Sequence, residues 1–313
     1  MRIVSFVPAA TAACCALGLR DSLVGVTHEC GGVADLSGLD VRVITRSRVP
    51  SGATGTVIDG AVKTARANRN DLQVFDAQGL AELEPDVVIV PADAPEGRNP
   101  CTLSFFDIRK VTSVMDPAPR LLAYGPTNVI EILGSVRALG EALGLGADGA
   151  RMAAALRARI NGVRTRVSEA RSKPRTALLS WIQPPIGGGG LLAQLVALAG
   201  GEPVAASMGV RARAWEWPEL IRERPEVMVL APCGFSLERA RAETQLLRRV
   251  PGILDAPAAR WGQVHLVDGQ RWFSAAGIAS VRALEILAAL VHPELAWPDG
   301  HLEPMDARPV SLE

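Results

Sequence analysis

The chain has 313 residues, of which 48% are hydrophobic, and its 33 basic side chains balance 33 acidic ones. That length suits two domains with substantial cores. Zero net charge argues against a nucleic-acid or anionic-membrane surface as the main business, and nothing approaches the ~18 uninterrupted apolar residues of a membrane span.

Residues 2–7 read as a first buried strand, and Pro8-Ala9-Ala10-Thr11 as the turn at its carboxyl end. A signal peptide is the competing reading of this stretch, with a lipoprotein-like Thr11-Ala12-Ala13-Cys14. Against it, the charged region is a single Arg2 and Pro8 interrupts the apolar run, while cleavage at Cys14 would delete the strand. The chain is therefore read as cytoplasmic, with export as the alternative. Five cysteines at scattered spacings give no disulfide framework.

A helix is expected from residue 12 to 17, closed by Gly18, then a strand at 22–26 that ends on Thr27-His28-Glu29-Cys30. A short strand at 43–45 leads into Arg46-Ser47-Arg48. Residues 56–67 and 77–83 are helical, and 87–90 is a fully apolar strand of the kind buried on both faces of a parallel sheet. A Pro-rich loop, 91–100, contains Asp93; a strand at 121–124 and a helix at 128–143 follow.

The organising element is a helix at 147–172. Met152, Leu156, Ile160, Val163 and Val167 fall on one face, while Arg151, Arg157, Arg159, Arg164, Arg166 and Arg171 read as a solvated flank. At about 1.5 Å per residue it is roughly 39 Å long, enough to bridge two lobes as a rigid rod. The expected organisation is an N-terminal α/β lobe at 1–146, this linking helix, a C-terminal α/β lobe at 173–292, and a surface tail at 293–313.

The second lobe repeats the scheme. Strands are expected at 176–180, 227–230 and 264–267, helices at 191–199, 237–249 and 275–291, and a flexible loop at 187–190. The run Gly187 to Gly190 lacks the spacing of a dinucleotide or P-loop fingerprint. Glu84-Pro85-Asp86-Val87-Val88 matches Arg224-Pro225-Glu226-Val227-Met228, and Ser135-Val136-Arg137-Ala138-Leu139 recurs as Ser280-Val281-Arg282-Ala283-Leu284. The near-constant offset makes an internal duplication the simplest account, with convergence of two α/β units as the alternative.

Ligands of open α/β sheets bind outside the carboxyl ends of the strands, so two such lobes on a rod place those ends across a cleft. Aromatic residues are only 4% of the chain, yet Trp181, Phe235 and Trp272 all fall just past strand ends, with Trp215 and Trp217 before a helix. That placement favours a large flat or apolar ligand; sealing of core or interdomain contacts is the alternative use. The candidate ligand-binding set is Pro8, Thr11, His28, Glu29, Arg46, Arg48 and Asp93 in the first lobe, and Trp181, Trp215, Phe235, Arg271 and Trp272 in the second.

Several strings together resemble the cobalamin-binding, class III branch of ABC-transporter substrate-binding proteins, especially its leaderless members. They are Arg2-Ile3-Val4-Ser5 with Pro8-Ala9-Ala10-Thr11, Val26-Thr27-His28-Glu29-Cys30, Val43-Ile44-Thr45-Arg46-Ser47-Arg48, Trp181 with Pro184-Pro185, Leu198-Ala199-Gly200-Gly201, Pro232-Cys233-Gly234-Phe235, Val267-Asp268-Gly269 and Leu284-Glu285-Ile286-Leu287. The resemblance implies two Rossmann-like lobes joined by one helix, with a corrinoid such as cobalamin gripped between them; haem, a ferric siderophore or another metal chelate is the alternative ligand. It also implies an ABC transporter or a corrinoid enzyme as partner. Two departures are visible: Ala9-Ala10-Thr11-Ala12 lacks the acidic residue many relatives carry at the first turn, and the 91–101 loop has Cys101 alone where leaderless relatives often have Cys-x-x-Cys.

His28 is the candidate metal ligand, able to take an axial position on cobalt or haem iron, with a polar contact to ligand amides as the alternative. Arg46 and Arg48 offer planar forks for carboxylate or phosphate, or else surface ion pairs. A tetrapyrrole chelatase is the enzymatic alternative. It needs a base and an open metal site, for which His28, His265, His292 and His301 are a thin supply. A binding protein for storage, delivery or sensing is the favoured reading.

Overall fold

Val87–Pro91 is apolar along most of its length, with four consecutive residues buried, and it is an interior strand of a parallel sheet, paired on both sides. The computed structural model describes residues 1–92, 99–206, 212–297 and 306–312. Asp93 and His301 lie outside them.

Contacts divide the chain into two units: Met1–Pro126 with Gly134–Ala153, and Thr127–Leu133 with Ala154–Glu313. In the first unit β1 (Ile3–Ser5), α1 (Pro8–Ala16), β2 (Leu23–Val26), β3 (Arg42–Val43), β4 (Thr45–Ser47), α2 (Gly55–Asn68) and β5 (Gln73–Phe75) come in order. Then come α3 (Ala77–Glu82), β6 (Val87–Pro91), α4 (Phe105–Thr112) and β7 (Arg120–Tyr124). The sheet order is β3-β2-β1-β6-β7, all parallel; β4 and β5 form a separate antiparallel ribbon. Val4, Phe6, Ile44, Leu80, Val88, Val90, Leu103 and Ile108 make its core, each fully buried aliphatic side chain contributing about 1.5–3 kcal/mol.

Two helices are shared. The first turn of α5 (Val129–Ala142) is assigned to the second unit, where the Val129 N–H donates to Gln194 Oε1 at 3.3 Å. Helix α6 (Gly146–Val167) crosses the boundary at residues 153 and 154. It ends five residues before the expected 172, because Ser168, Glu169 and Ala170 close it with i→i−3 and i→i−4 bonds. Leu156, Ile160 and Val163 are buried along the expected face. Its arginines are not all a solvated flank: Arg159 forks Glu285 with two hydrogen bonds of 2.7 Å.

In the second unit the order is β8 (Arg175–Trp181), β9 (Ile186–Gly187), α7 (Leu191–Leu198), β10 (Glu202–Val204), β11 (Arg213–Ala214), α8 (Trp217–Arg222) and β12 (Val227–Leu230). There follow α9 (Leu237–Glu243), α10 (Pro257–Arg260), β13 (Val264–Val267), α11 (Ala279–Val291) and β14 (Ala307–Pro309). The sheet runs β11-β9-β8-β12-β13-β14, with β10 beside the first half of β8. Strands β10, β8, β12 and β13 are parallel, as β2, β1, β6 and β7 are.

The sequence repeat has a structural counterpart. Glu84 and Arg224, the first residues of the two matching strings, both take left-handed backbone, with φ of 41° and 50°. Each precedes a proline and an interior strand of its unit, β6 or β12. That conformation is uncommon outside glycine, so its recurrence marks the same turn built twice.

Several expectations are corrected. Pro8-Ala9-Ala10-Thr11 is not a turn but the first turn of α1, with Pro8 at the position where a missing N–H costs nothing. The 43–45 strand divides between β3 and β4, which belong to different sheets. Residues 237–249 are α9 followed by a 3-10 turn, and the closing helix starts at Ala279 after a π-helical turn, Gly269–Phe273. The C-terminal tail supplies β14, antiparallel to β13, and the nearly enclosed carboxylate of Asp306 pairs with Arg282 at 2.5 Å.

Candidate functional site

At the carboxyl edge of the first unit, the chain leaves β2 through Thr27 and enters a tight turn. The backbone N–H of His28 donates to Thr45 Oγ1 at 2.9 Å, and His28 Nδ1 lies 2.7 Å from the same oxygen. Thr45 thus fixes the exposed imidazole from the facing ribbon. In the tautomer with hydrogen on Nδ1, Thr45 accepts and the Nε2 lone pair is left to ligate. Among the described residues no cluster of three or more His, Cys, Asp or Glu could hold a metal ion by itself.

Glu29 is exposed beside it. Arg46 is exposed on β4, and Arg48 lines a cavity of about 460 Å³ with Arg69, Asp71, Gln73, Phe75 and Asp107. Thr11 is placed differently from expectation. It is fully buried, its hydroxyl 2.9 Å from Ser5 Oγ and 3.1 Å from Cys30 Sγ. Cys30 is also enclosed, and burial pushes its thiol up despite hydrogen bonds from Thr11 and Thr27. Thr11 and Cys30 thus knit α1 to the turn that carries His28, and neither offers surface to a ligand. Pro8 stands at the start of α1, where the chain turns off β1.

The second unit collects its aromatic residues in a row. Trp181 closes β8, and its ring meets Phe235 edge to face at 5.3 Å between centroids. Phe235 follows β12 in a turn that is pinned to the next one: the Gln270 N–H donates to Phe235 O, and the Ser274 hydroxyl accepts from the Gly234 N–H and donates to Gly269 O. Trp272 lies in that next turn, after β13. On the other side of β8, Ala214 pairs with Ile186, which pairs with Trp181, so Trp215 stands at the same end of the sheet. Along the edge the order is Trp215, Trp181, Phe235, Trp272. Four strand spacings of about 4.8 Å separate β11 from β13, so the row is roughly 19 Å long.

Three guanidinium groups sit on this row. Arg213 lies over Trp215 at 3.5 Å from the ring centroid, Arg239 over Phe235 at 3.9 Å and Arg271 over Trp272 at 4.6 Å. Sequence reasoning singled out Arg271 but missed Arg213 and Arg239. A signal was there: Arg213 is two residues from Trp215 on a strand and so shares its face, and Arg239 is four residues past Phe235 as α9 begins. Trp217 is a core residue, its indole N–H donating to Gln183 Oε1 at 3.4 Å.

The first residue of the expected 187–190 loop belongs to a strand instead. Gly187 is in β9, and a Cβ there would stand 1.7 Å from the carbonyl oxygen of Ala205 and 3.0 Å from Trp215 Nε1. Only glycine lets these elements close on one another. The indole N–H groups of Trp215 and Trp272 are buried and have no acceptor among the described residues.

No family model and no curated protein matches the chain. Solved structures do. A periplasmic haem-binding protein, RhuT, from Roseiflexus sp. RS-1 in apo form is 22% identical, with a TM-score of 0.68 over 93% of this chain and 98% of that one. The periplasmic haem-binding protein HutB of Vibrio cholerae is 17% identical, with a TM-score of 0.71 over 94% and 99%. The periplasmic vitamin B12-binding protein BtuF of Vibrio cholerae is 18% identical, with a TM-score of 0.66 over 93% and 96%. The chain has the two-lobed α/β fold of these periplasmic binding proteins over nearly its whole length.

Proposed function

We propose that the chain is a binding protein for a metal tetrapyrrole, with a corrinoid of the cobalamin type as the leading ligand and haem or another metal chelate as the alternative. The observation that carries this reading is the row Trp215, Trp181, Phe235, Trp272 along one sheet edge. Trp215 and Trp272, at the two ends of the row, are partly exposed, and the buried Trp181 and Phe235 back the edge between them, at the strand ends where α/β sheets take ligands. The haem and B12 named for the structural neighbours support the same ligand class.

His28 is the proposed axial ligand, oriented by Thr45. Glu29, Arg46 and Arg48 are proposed to meet polar groups on the ligand. The periplasmic neighbours support the exported alternative over the cytoplasmic reading. Cleavage at Cys14 would remove β1, which lies between β2 and β6. Delivery to an ABC transporter or a corrinoid enzyme is the proposed role.

Tryptophan fluorescence tests this. All six tryptophans lie in the second unit, so a coloured ligand on its carboxyl edge quenches them. Saturable quenching at one ligand per chain by aquocobalamin or haemin is expected, weakened in Trp272→Leu. Undiminished emission with both, and with a ferric siderophore, would sink the reading.

A further inference from the structure

We propose that the cavity beside the β4–β5 ribbon takes the nucleotide tail of a corrinoid, while His28 holds the cobalt in place of the tail's own base. This deepens the tetrapyrrole reading above and rests on it. The placement follows from the ribbon. Thr45, which orients His28, pairs with Phe75, and Ser47 pairs with Gln73. Residues directly opposite on antiparallel strands share a face, and so do residues two apart on one strand. Thr45, Phe75 and Gln73 therefore carry their side chains on one face of the ribbon. Phe75 and Gln73 line the cavity of about 460 Å³, and so does Arg48, three residues past Thr45 or about 10 Å along an extended chain. An imidazole that takes the axial position of the tail's base frees the tail, and the cavity lies along the same ribbon to receive it.

The lining suits a nucleotide better than the edge of a haem. Arg48 and Arg69 are exposed there and make no ion pair among the described residues. Arg69 ends α2 in left-handed backbone, φ 54°, a position glycine usually takes. Asp71 and Asp107, each with a partner of its own, share the wall with the arginines. Phe75 is half-buried and Leu103 buried, which gives the cavity an apolar side, and the amide of Gln73 can both donate and accept. A ribose phosphate with its base brings an anion for the arginines, hydroxyl donors for the acids and a flat apolar ring for Phe75. A haem propionate brings only the anion and meets the two acids as like charge.

The test compares cobalamin with cobinamide, the same corrinoid without phosphate, ribose and base, on the full chain by tryptophan quenching. Arg48→Gln and Arg69→Gln are each expected to weaken cobalamin about tenfold, the weight of one charge-assisted hydrogen bond, and to leave cobinamide unchanged. With the histidines isotope-labelled at nitrogen, the electron paramagnetic resonance spectrum of bound cob(II)alamin should show cobalt coupled to the labelled nitrogen. Equal losses for the two corrinoids, no loss in either variant, or coupling to the tail's own unlabelled nitrogen would overturn the assignment while leaving the tetrapyrrole reading intact. Binding of haemin without either corrinoid would do the same. Failure of all three ligands to bind would overturn both.

Discussion

Removing the more exposed member of the Arg159–Glu285 pair is predicted to cost more than removing the buried one. Glu285 has a side chain only 10% exposed, while that of Arg159 is 45% exposed. Arg159→Leu takes two 2.7 Å hydrogen bonds from an enclosed carboxylate and leaves it with Arg282 at 3.4 Å. Stranding a buried charge costs about 3–5 kcal/mol, and the remaining arginine brings the expected loss to the low end, about 3 kcal/mol. Glu285→Leu strands nothing: the Arg159 guanidinium reaches water and Arg282 keeps Asp306. Its expected cost is about 1 kcal/mol. The double variant should be no worse than Glu285→Leu alone. Urea unfolding followed by tryptophan emission reads this directly, because every tryptophan is in the second unit and reports its unfolding alone. Equal costs, or a larger loss in Glu285→Leu, would refute the desolvation reasoning.

Three further outcomes are expected. Of the five thiols, the exposed Cys101 and Cys233 should react quickly with a disulfide reagent at pH 8. Cys14, pushed up to about 12 by burial and then by Cys15, Cys30 and the half-buried Cys15 should lag, and five equal rates would contradict this. Gly187→Ala forces a Cβ into the Ala205 carbonyl and should cost upwards of about 2 kcal/mol in the same urea assay, with ligand quenching weakened as well; a neutral variant would remove the close approach from the account. Burial lowers the pKa of His265, so below 6.5 the unfolded chain takes up a proton that the folded one refuses. Stability should therefore fall as pH drops from 6.5 toward the folded value, and His265→Leu should flatten that slope; an unchanged slope contradicts it.

Much of the architecture is legible in local pattern. The four-residue apolar runs at β6 and β12 announce parallel interior strands, and the spacing of Leu156, Ile160 and Val163 announces α6. The repeat at Glu84 and Arg224 is visible in sequence because one turn, with its unusual backbone, was needed twice. What stays hidden depends on partners far along the chain. The short strands β5, β10, β11 and β14 carry too few residues to show a period, and each exists only because a neighbour accepts its hydrogen bonds. The site divides the same way. Trp181, Phe235 and Trp272 are found by their position after strand ends, whereas the burial of Thr11 follows from α1 starting at Pro8, and that requires knowing how the chain leaves β1.

The central claim is that this chain binds a metal tetrapyrrole. The most direct measurement is the absorption spectrum of the purified protein with aquocobalamin and with haemin, each followed by gel filtration. The account predicts a ligand band that co-elutes at one per chain and is shifted from the free ligand, with the shift lost in His28→Ala. A protein that emerges colourless from both columns would contradict it.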